Sequence, residues 1–150
     1  MAKKRFTVLL VEDELNDIFL VKRAFKMAHL ETPLQVVTDG EEAIHYLSGE
    51  GKYGDREAHP LPQLIVMDLK MPRKSGFEVL EWLKRDGPIR RIPVVIVSSS
   101  DRLEDINRAY ELGANAYMVK PVSLRAVEHL FESITNYWGI ECAKPELEIA

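Results

Sequence analysis

Five short apolar runs punctuate the chain, at 6–11, 34–38, 64–67, 93–97 and 114–119. The plainest is Leu64-Ile65-Val66-Met67, which ends in Asp68 just ahead of Pro72. Short, continuously apolar segments bounded by breakers are the mark of parallel strands covered on both faces. Between the runs the apolar period changes to three and four. Ile18, Val21, Phe25 and Ala28 draw one stripe along a helix at about 15–29. Ala43, Ile44 and Leu47 supply the inward face of a second helix, and Val79, Leu80, Trp82 and Leu83 that of a third. Leu103, Ile106 and Tyr110 mark a fourth, and Val127, Leu130, Phe131 and Ile134 a fifth at about 123–138. Polar punctuation agrees with these limits: Asp39 with Glu42, Ser75 with Glu78, and Asp101 with Glu104 are helix-opening pairs, while Gly113 and Gly139 close helices.

Strand and helix thus alternate five times without a change of composition, which predicts one α/β domain with a parallel sheet and helices on both faces. The exception is 48–62, with three glycines, two prolines and no apolar period, expected to be a surface loop serving as a contact element or a tolerated insertion. Right-handed crossovers restrict the topology to a few options. In the flavodoxin-like, doubly wound order 2-1-3-4-5, strands one and three are neighbours at the switch point, where ligands of such sheets bind. Four strand ends then share one crevice. They carry Glu12-Asp13-Glu14, Asp68, Ser98 and Lys120.

Composition narrows the classes. With 46% apolar and 29% charged residues in 150, the chain is an ordinary globular protein with enough length for one core and no need of disulfides. A net charge of −4 argues against a nucleic-acid surface despite the small basic clusters Lys3-Lys4-Arg5 and Arg90-Arg91. The start resembles a signal n-region, but the apolar run at 6–11 is too short and ends in acids. No apolar stretch approaches membrane-spanning length, so a cytoplasmic protein is expected. Cys142 stands alone, and His29, His45, His59 and His129 are scattered without metal-ligand spacing.

The convergent acids carry the chemistry. Taken singly, Glu12-Asp13-Glu14 also reads as acids complementing a helix N-terminus, and Asp68 as a cap. Together they do not rest easily: two like charges about 4 Å apart repel by roughly 4 kcal/mol at an effective dielectric of 20. Such a cluster invites a divalent cation, and Mg2+ takes carboxylates together with water and phosphate oxygens. Ser98 offers a hydroxyl and Lys120 an ammonium to the same crevice. A carboxylate nucleophile, a metal, a lysine and a hydroxyl are the parts needed to form an aspartyl phosphate.

Four stretches carry a family resemblance: Leu9-Leu10-Val11-Glu12-Asp13, Val66-Met67-Asp68-Leu69-Lys70-Met71-Pro72, Pro93-Val94-Val95-Ile96-Val97-Ser98-Ser99, and Gly113-Ala114-Asn115-Ala116-Tyr117-Met118-Val119-Lys120-Pro121. In this combination and order the chain resembles the receiver domain of bacterial two-component response regulators, with a CheY-like fold, over about 6–138. The resemblance implies that Asp68 is the phosphoacceptor. It implies Mg2+ held by Glu12, Asp13, Asp68 and the Lys70 backbone carbonyl. Ser98, Ser99 and Lys120 would bind the phosphoryl group, Ser98 and Tyr117 would form the switch, and the Lys120–Pro121 bond would be cis, making Pro121 a cis-proline. The implied partner is a sensor histidine kinase.

Some positions depart from the family's commonest pattern. Glu12 stands where many members have aspartate, and Ser98 replaces the commoner threonine. Lys70 and Ser100 occupy the two variable positions that influence phosphoryl lifetime. The loop around 51–56, Tyr137-Trp138 and the tail resemble regulators paired with bacterial phytochrome kinases. The tail at 139–150, with Ile140, Leu147 and Ile149 among acids, is expected to be disordered or to act as an arm that pairs two copies.

Two rival readings share features of this site. A haloacid-dehalogenase-like phosphatase also forms an aspartyl phosphate, but needs an acid two residues after the nucleophile, where this chain has Lys70. A flavodoxin-like electron carrier needs a phosphate cradle after strand one, where the acids 12–14 would repel it.

Overall fold

The structure is a computed structural model that describes residues 7–27, 34–85, 87–138, 143 and 145–147. The expectations for Lys3-Lys4-Arg5, Ala28, His29, Gly139, Ile140, Cys142 and Ile149 lie outside the described residues. The elements are β1 (Val8–Val11), α1 (Leu15–Met27), β2 (Leu34–Val37), α2 (Gly40–Ser48), β3 (Leu64–Met67), α3 (Gly76–Leu83), β4 (Val94–Ser98), α4 (Leu103–Glu111), β5 (Ala116–Val119) and α5 (Leu124–Asn136). All strand pairs are parallel and the order is β2-β1-β3-β4-β5, as the alternation of elements predicted.

Continuous apolarity follows from burial on two sides, because successive side chains point to opposite faces of the sheet. Val8, Leu10, Leu64, Val66, Val95 and Val97 pack with Ile18, Val21, Phe25, Val127, Phe131 and Ile134 of α1 and α5. Leu9, Val11, Ile65, Met67, Val94 and Ile96 pack with Ala43, Leu47, Val79, Leu80 and Leu83 of α2 and α3. Each fully buried aliphatic side chain contributes about 1.5–3 kcal/mol from removal of apolar surface. The starts of α2 and α3 are fixed where the sequence placed them. Asp39 Oδ1 accepts from the Glu42 N–H at 2.7 Å, and Ser75 with Glu78 forms a complete capping box. Gly113, at φ 107°, closes the turn after α4 in a conformation that L side chains rarely adopt.

Helix α4 forms where the period predicts it, but little of its apolar stripe is buried. Leu103 is 69% and Tyr110 48% exposed, and Ala109 is its only buried residue. Periodicity located a stripe, but β5 is an edge strand, so the sheet beneath α4 is narrow and part of the stripe stays in water. The expected Asp101–Glu104 cap is also absent: the N-cap is Arg102, with no side-chain capping bond. Instead the Ser100 hydroxyl accepts from the Arg102 N–H at 3.3 Å and donates to Asp105 at 2.6 Å.

The segment 48–62 is more ordered than a simple loop. It contains a 3-10 turn at Gly51–Gly54 and buries Tyr53, whose ring centroid lies 5.0 Å from those of Tyr46 and His59. Arg56 clips it to the end of α2 by donating to the carbonyls of Tyr46 at 2.7 Å, Leu47 at 3.0 Å and, more weakly, His59 at 3.3 Å. In the tail, Leu147 packs against the α2–α3 cluster of its own chain, and Arg91 donates to the Glu146 carbonyl at 3.1 Å. Among the described residues no helix is long and apolar enough to cross a membrane.

Candidate functional site

Backbone hydrogen bonds carry the parallel ladder one residue beyond the strands and so fix the site's spacing. The Asp68 N–H donates to Val11 O at 3.1 Å, Glu12 to Val37 O at 3.0 Å, and Lys120 to Ser98 O at 2.8 Å. The loop after Asp68 is held from the other side by α3. Gly76 N–H donates to Leu69 O at 2.9 Å, and a Cβ on Gly76 would lie 2.4 Å from the Asp68 carbonyl oxygen. Only glycine permits this approach.

The side chains then meet as the topology required. Lys120 Nζ donates to Glu12 Oε1 at 2.6 Å, Asp17 Oδ2 at 2.8 Å and Asp68 Oδ2 at 3.1 Å. Asp68 Oδ1 accepts from the Leu69 N–H at 2.7 Å, which orients the carboxyl. Burial pushes the Glu12 carboxyl up to about 8 against the pull of the Lys120 ammonium. Burial opposes the charge on Lys120, but its hydrogen bonds to Asp17 and Glu12 outweigh that and hold its pKa above the usual lysine range. The cluster is thus a buried cation among carboxylates that jointly exceed its charge.

One oxygen each from Glu12, Asp13 and Asp68 lies within 4.8 Å of the others. Hard oxygen donors at strand ends, one of them exposed Asp13, fit a divalent cation of the Mg2+ type. Glu14 remains in solvent, outside this group. Lys70 directs its side chain to solvent, and Ser99 is exposed beside buried Ser98.

The β4–α4 loop links the crevice to α4. Ser98 Oγ accepts from the Ser100 N–H at 3.2 Å, and the Ser100 carbonyl accepts from the half-buried Tyr117 hydroxyl at 2.8 Å. The Tyr117 N–H in turn donates to the Tyr110 hydroxyl at 3.1 Å. Ser98, Ser100, Tyr117 and α4 are therefore one hydrogen-bonded chain.

Two findings modify the expected site. The Lys120–Pro121 bond is not cis, since no described peptide bond is. An X–Pro bond prefers trans by roughly 0.5–1 kcal/mol unless its surroundings impose otherwise, and Lys120 reaches its carboxylates with the trans bond in place. Asp17 is the residue sequence reasoning missed. It is the acid in the first turn of α1, four residues after Asp13, a position that reads as an ordinary complement to the helix dipole.

Comparison with known proteins agrees with this geometry. The family model for the response regulator receiver domain matches residues 8–132. The response regulator Rcp1 of Synechocystis sp. is 35% identical over 131 residues, covering 87% of each chain, and its Mn2+-bound structure superposes with a TM-score of 0.87 at 33% identity, covering 94% of this chain and 99% of that one. The phosphorylated cyanobacterial phytochrome response regulator RcpA gives a TM-score of 0.89 at 34% identity, covering 95% of this chain and 99% of that one. The probable methanogenesis regulatory protein FilR2 of Methanothrix harundinacea is 34% identical over 137 residues, covering 91% of this chain and 86% of its own. The phosphatase and electron-carrier readings find no support. The five-stranded fold, the acidic crevice and these matches agree: the chain is a response regulator and belongs to the receiver domain family.

Proposed function

We propose that residues 1–138 form a cytoplasmic phosphoacceptor module in which Asp68 receives a phosphoryl group from a histidine kinase. The observation that carries this reading is the contact of Lys120 Nζ with Asp68 Oδ2 at 3.1 Å, inside a group of carboxylates suited to a divalent cation. One Asp68 oxygen attacks the phosphorus of a phosphohistidine; the P–O bond forms, the P–N bond breaks, and the imidazole leaves with its electron pair and takes up a proton. Mg2+, held by Glu12, Asp13, Asp68 and the Lys70 carbonyl, would supply charge neutralisation at the phosphoryl oxygens. Lys120 pairs with one of those oxygens, and Ser98 and the backbone at Ser99 donate to the others.

Phosphorylation replaces one negative charge by about two. Ser98, drawn to the phosphoryl group, disturbs the Ser100 loop, and Tyr117 loses its partner there and turns inward. The exposed α4–β5 surface is then what a downstream partner reads. Similarity to Rcp1 and RcpA supports a kinase of the phytochrome type. The tail from 139 onward would join two copies by exchanging the packing that Leu147 makes within one chain.

Phosphotransfer with Mg2+, from a phosphorylated histidine kinase and from acetyl phosphate, tests the core of this reading. Wild type should be labelled and Asp68→Asn should not; undiminished labelling of the variant would overturn the assignment. Sedimentation of the full chain against 1–138 tests the arm, and identical monomers would exclude it.

A further inference from the structure

Asp17 belongs to the crevice by contact but stands apart by position. Lys120 has three N–H donors, and they are directed to Glu12, Asp17 and Asp68 at 2.6, 2.8 and 3.1 Å. Two of those acceptors, Glu12 and Asp68, belong to the carboxylate group within 4.8 Å that suits a divalent cation, and Asp17 does not. A cation taking oxygens of Glu12 and Asp68 competes with Lys120 for them. Asp17 is then the one acceptor left to the ammonium. It is well placed for that task, because the first turn of α1 fixes its backbone and its side chain is only 16% exposed.

We infer that Asp17 is a positioning residue that retains Lys120 at the rim of the crevice, so that the cation and the lysine occupy it together rather than in turn. This rests on the phosphoacceptor reading above. Without Asp17 the ammonium settles on Glu12 and Asp68 and opposes the cation; with it, the lysine waits beside Asp68, ready for a phosphoryl oxygen. Asp17 needs no contact with either ligand, since it acts through Lys120.

A double-mutant cycle on Mn2+ affinity, measured by calorimetry and by the EPR signal of free Mn2+, separates this from a simple charge effect. Asp17→Asn should weaken Mn2+ binding by about 10-fold, as expected when a group orienting a site's charges is lost. In a Lys120→Met background the same substitution should change affinity by less than about 2-fold, because its intermediary is gone. Asp17→Glu, which keeps the carboxylate, should restore affinity, and metal-free thermal unfolding checks that each variant is folded. Equal weakening in both backgrounds would overturn the inference alone. Absence of Mn2+ binding by wild type would overturn both it and the reading on which it rests.

Discussion

Replacing Gly76 with alanine sets helix propensity against packing. Alanine is favoured over glycine by about 1 kcal/mol in a helix interior and by less at a first position such as Gly76, next to the Ser75 N-cap, so propensity still predicts a slightly more stable α3. The structure predicts the reverse. The new Cβ would stand 2.4 Å from the Asp68 carbonyl oxygen and 2.9 Å from the Leu69 Cα, both backbone atoms that no rotamer change can remove. Ordinary contacts are about 3.5–4 Å, so α3 must retreat from the strand end by roughly 1 Å. That strains the Gly76–Leu69 hydrogen bond, worth about 1 kcal/mol. Overpacking of this kind costs about 1–3 kcal/mol. After the propensity gain, a net loss of about 1–3 kcal/mol remains, and at 2–4 °C per kcal/mol for a chain of this size Tm should fall by roughly 2–12 °C. Thermal unfolding by circular dichroism reads this directly, and Mn2+ titration of the same sample should show weaker binding, because Asp68 moves with the loop. A Tm equal to or above wild type would refute the argument.

Three more outcomes follow from other contacts. Glu12 titrates near 8 in the folded chain against about 4.5 when unfolded, so the folded state binds more protons and metal-free stability should fall as pH rises through that window. Glu12→Gln should flatten the profile, and parallel wild-type and variant curves in metal-free denaturant melts would contradict the assignment. Arg56→Ala removes the charged donor to the Tyr46 and Leu47 carbonyls; a loss of about 2 kcal/mol is expected, with limited proteolysis appearing within 48–62, and an unchanged digest would show that the clip is dispensable. Ser100→Ala deletes the bond to Asp105, costing about 1 kcal/mol, and should speed amide exchange in the first turn of α4; unaltered exchange there would mean the hydroxyl does not hold the helix.

The parts that sequence revealed best are those where local pattern and global fold have the same cause. Strands buried on both faces must be apolar at every position, so Leu64 to Met67 and Val94 to Val97 announced a parallel sheet, and the sheet placed Glu12, Asp68 and Lys120 together. The exposure of α4 was not legible, because a period of three and four identifies a face without saying whether sheet lies under it. Asp17 was missed because an acid in a first helical turn has a sufficient local explanation. The segment 48–62 hid its packing for a related reason: Tyr53 and His59 are held by an aromatic cluster and by Arg56, neither of which leaves a period. The Lys120–Pro121 isomer depends on surroundings that the two residues do not encode.

The hydroxyl of Tyr110 has a consequence for solubility. It accepts the N–H of Tyr117 on β5, and β5 is an edge of the sheet. Exposed edge donors are the templates on which a second chain adds a strand, the first step toward fibrils. Here one such donor is already engaged from within. A foreign strand approaching this edge must first displace a tyrosine from its own helix, so copies of this protein can crowd together with less risk of extending one another's sheets.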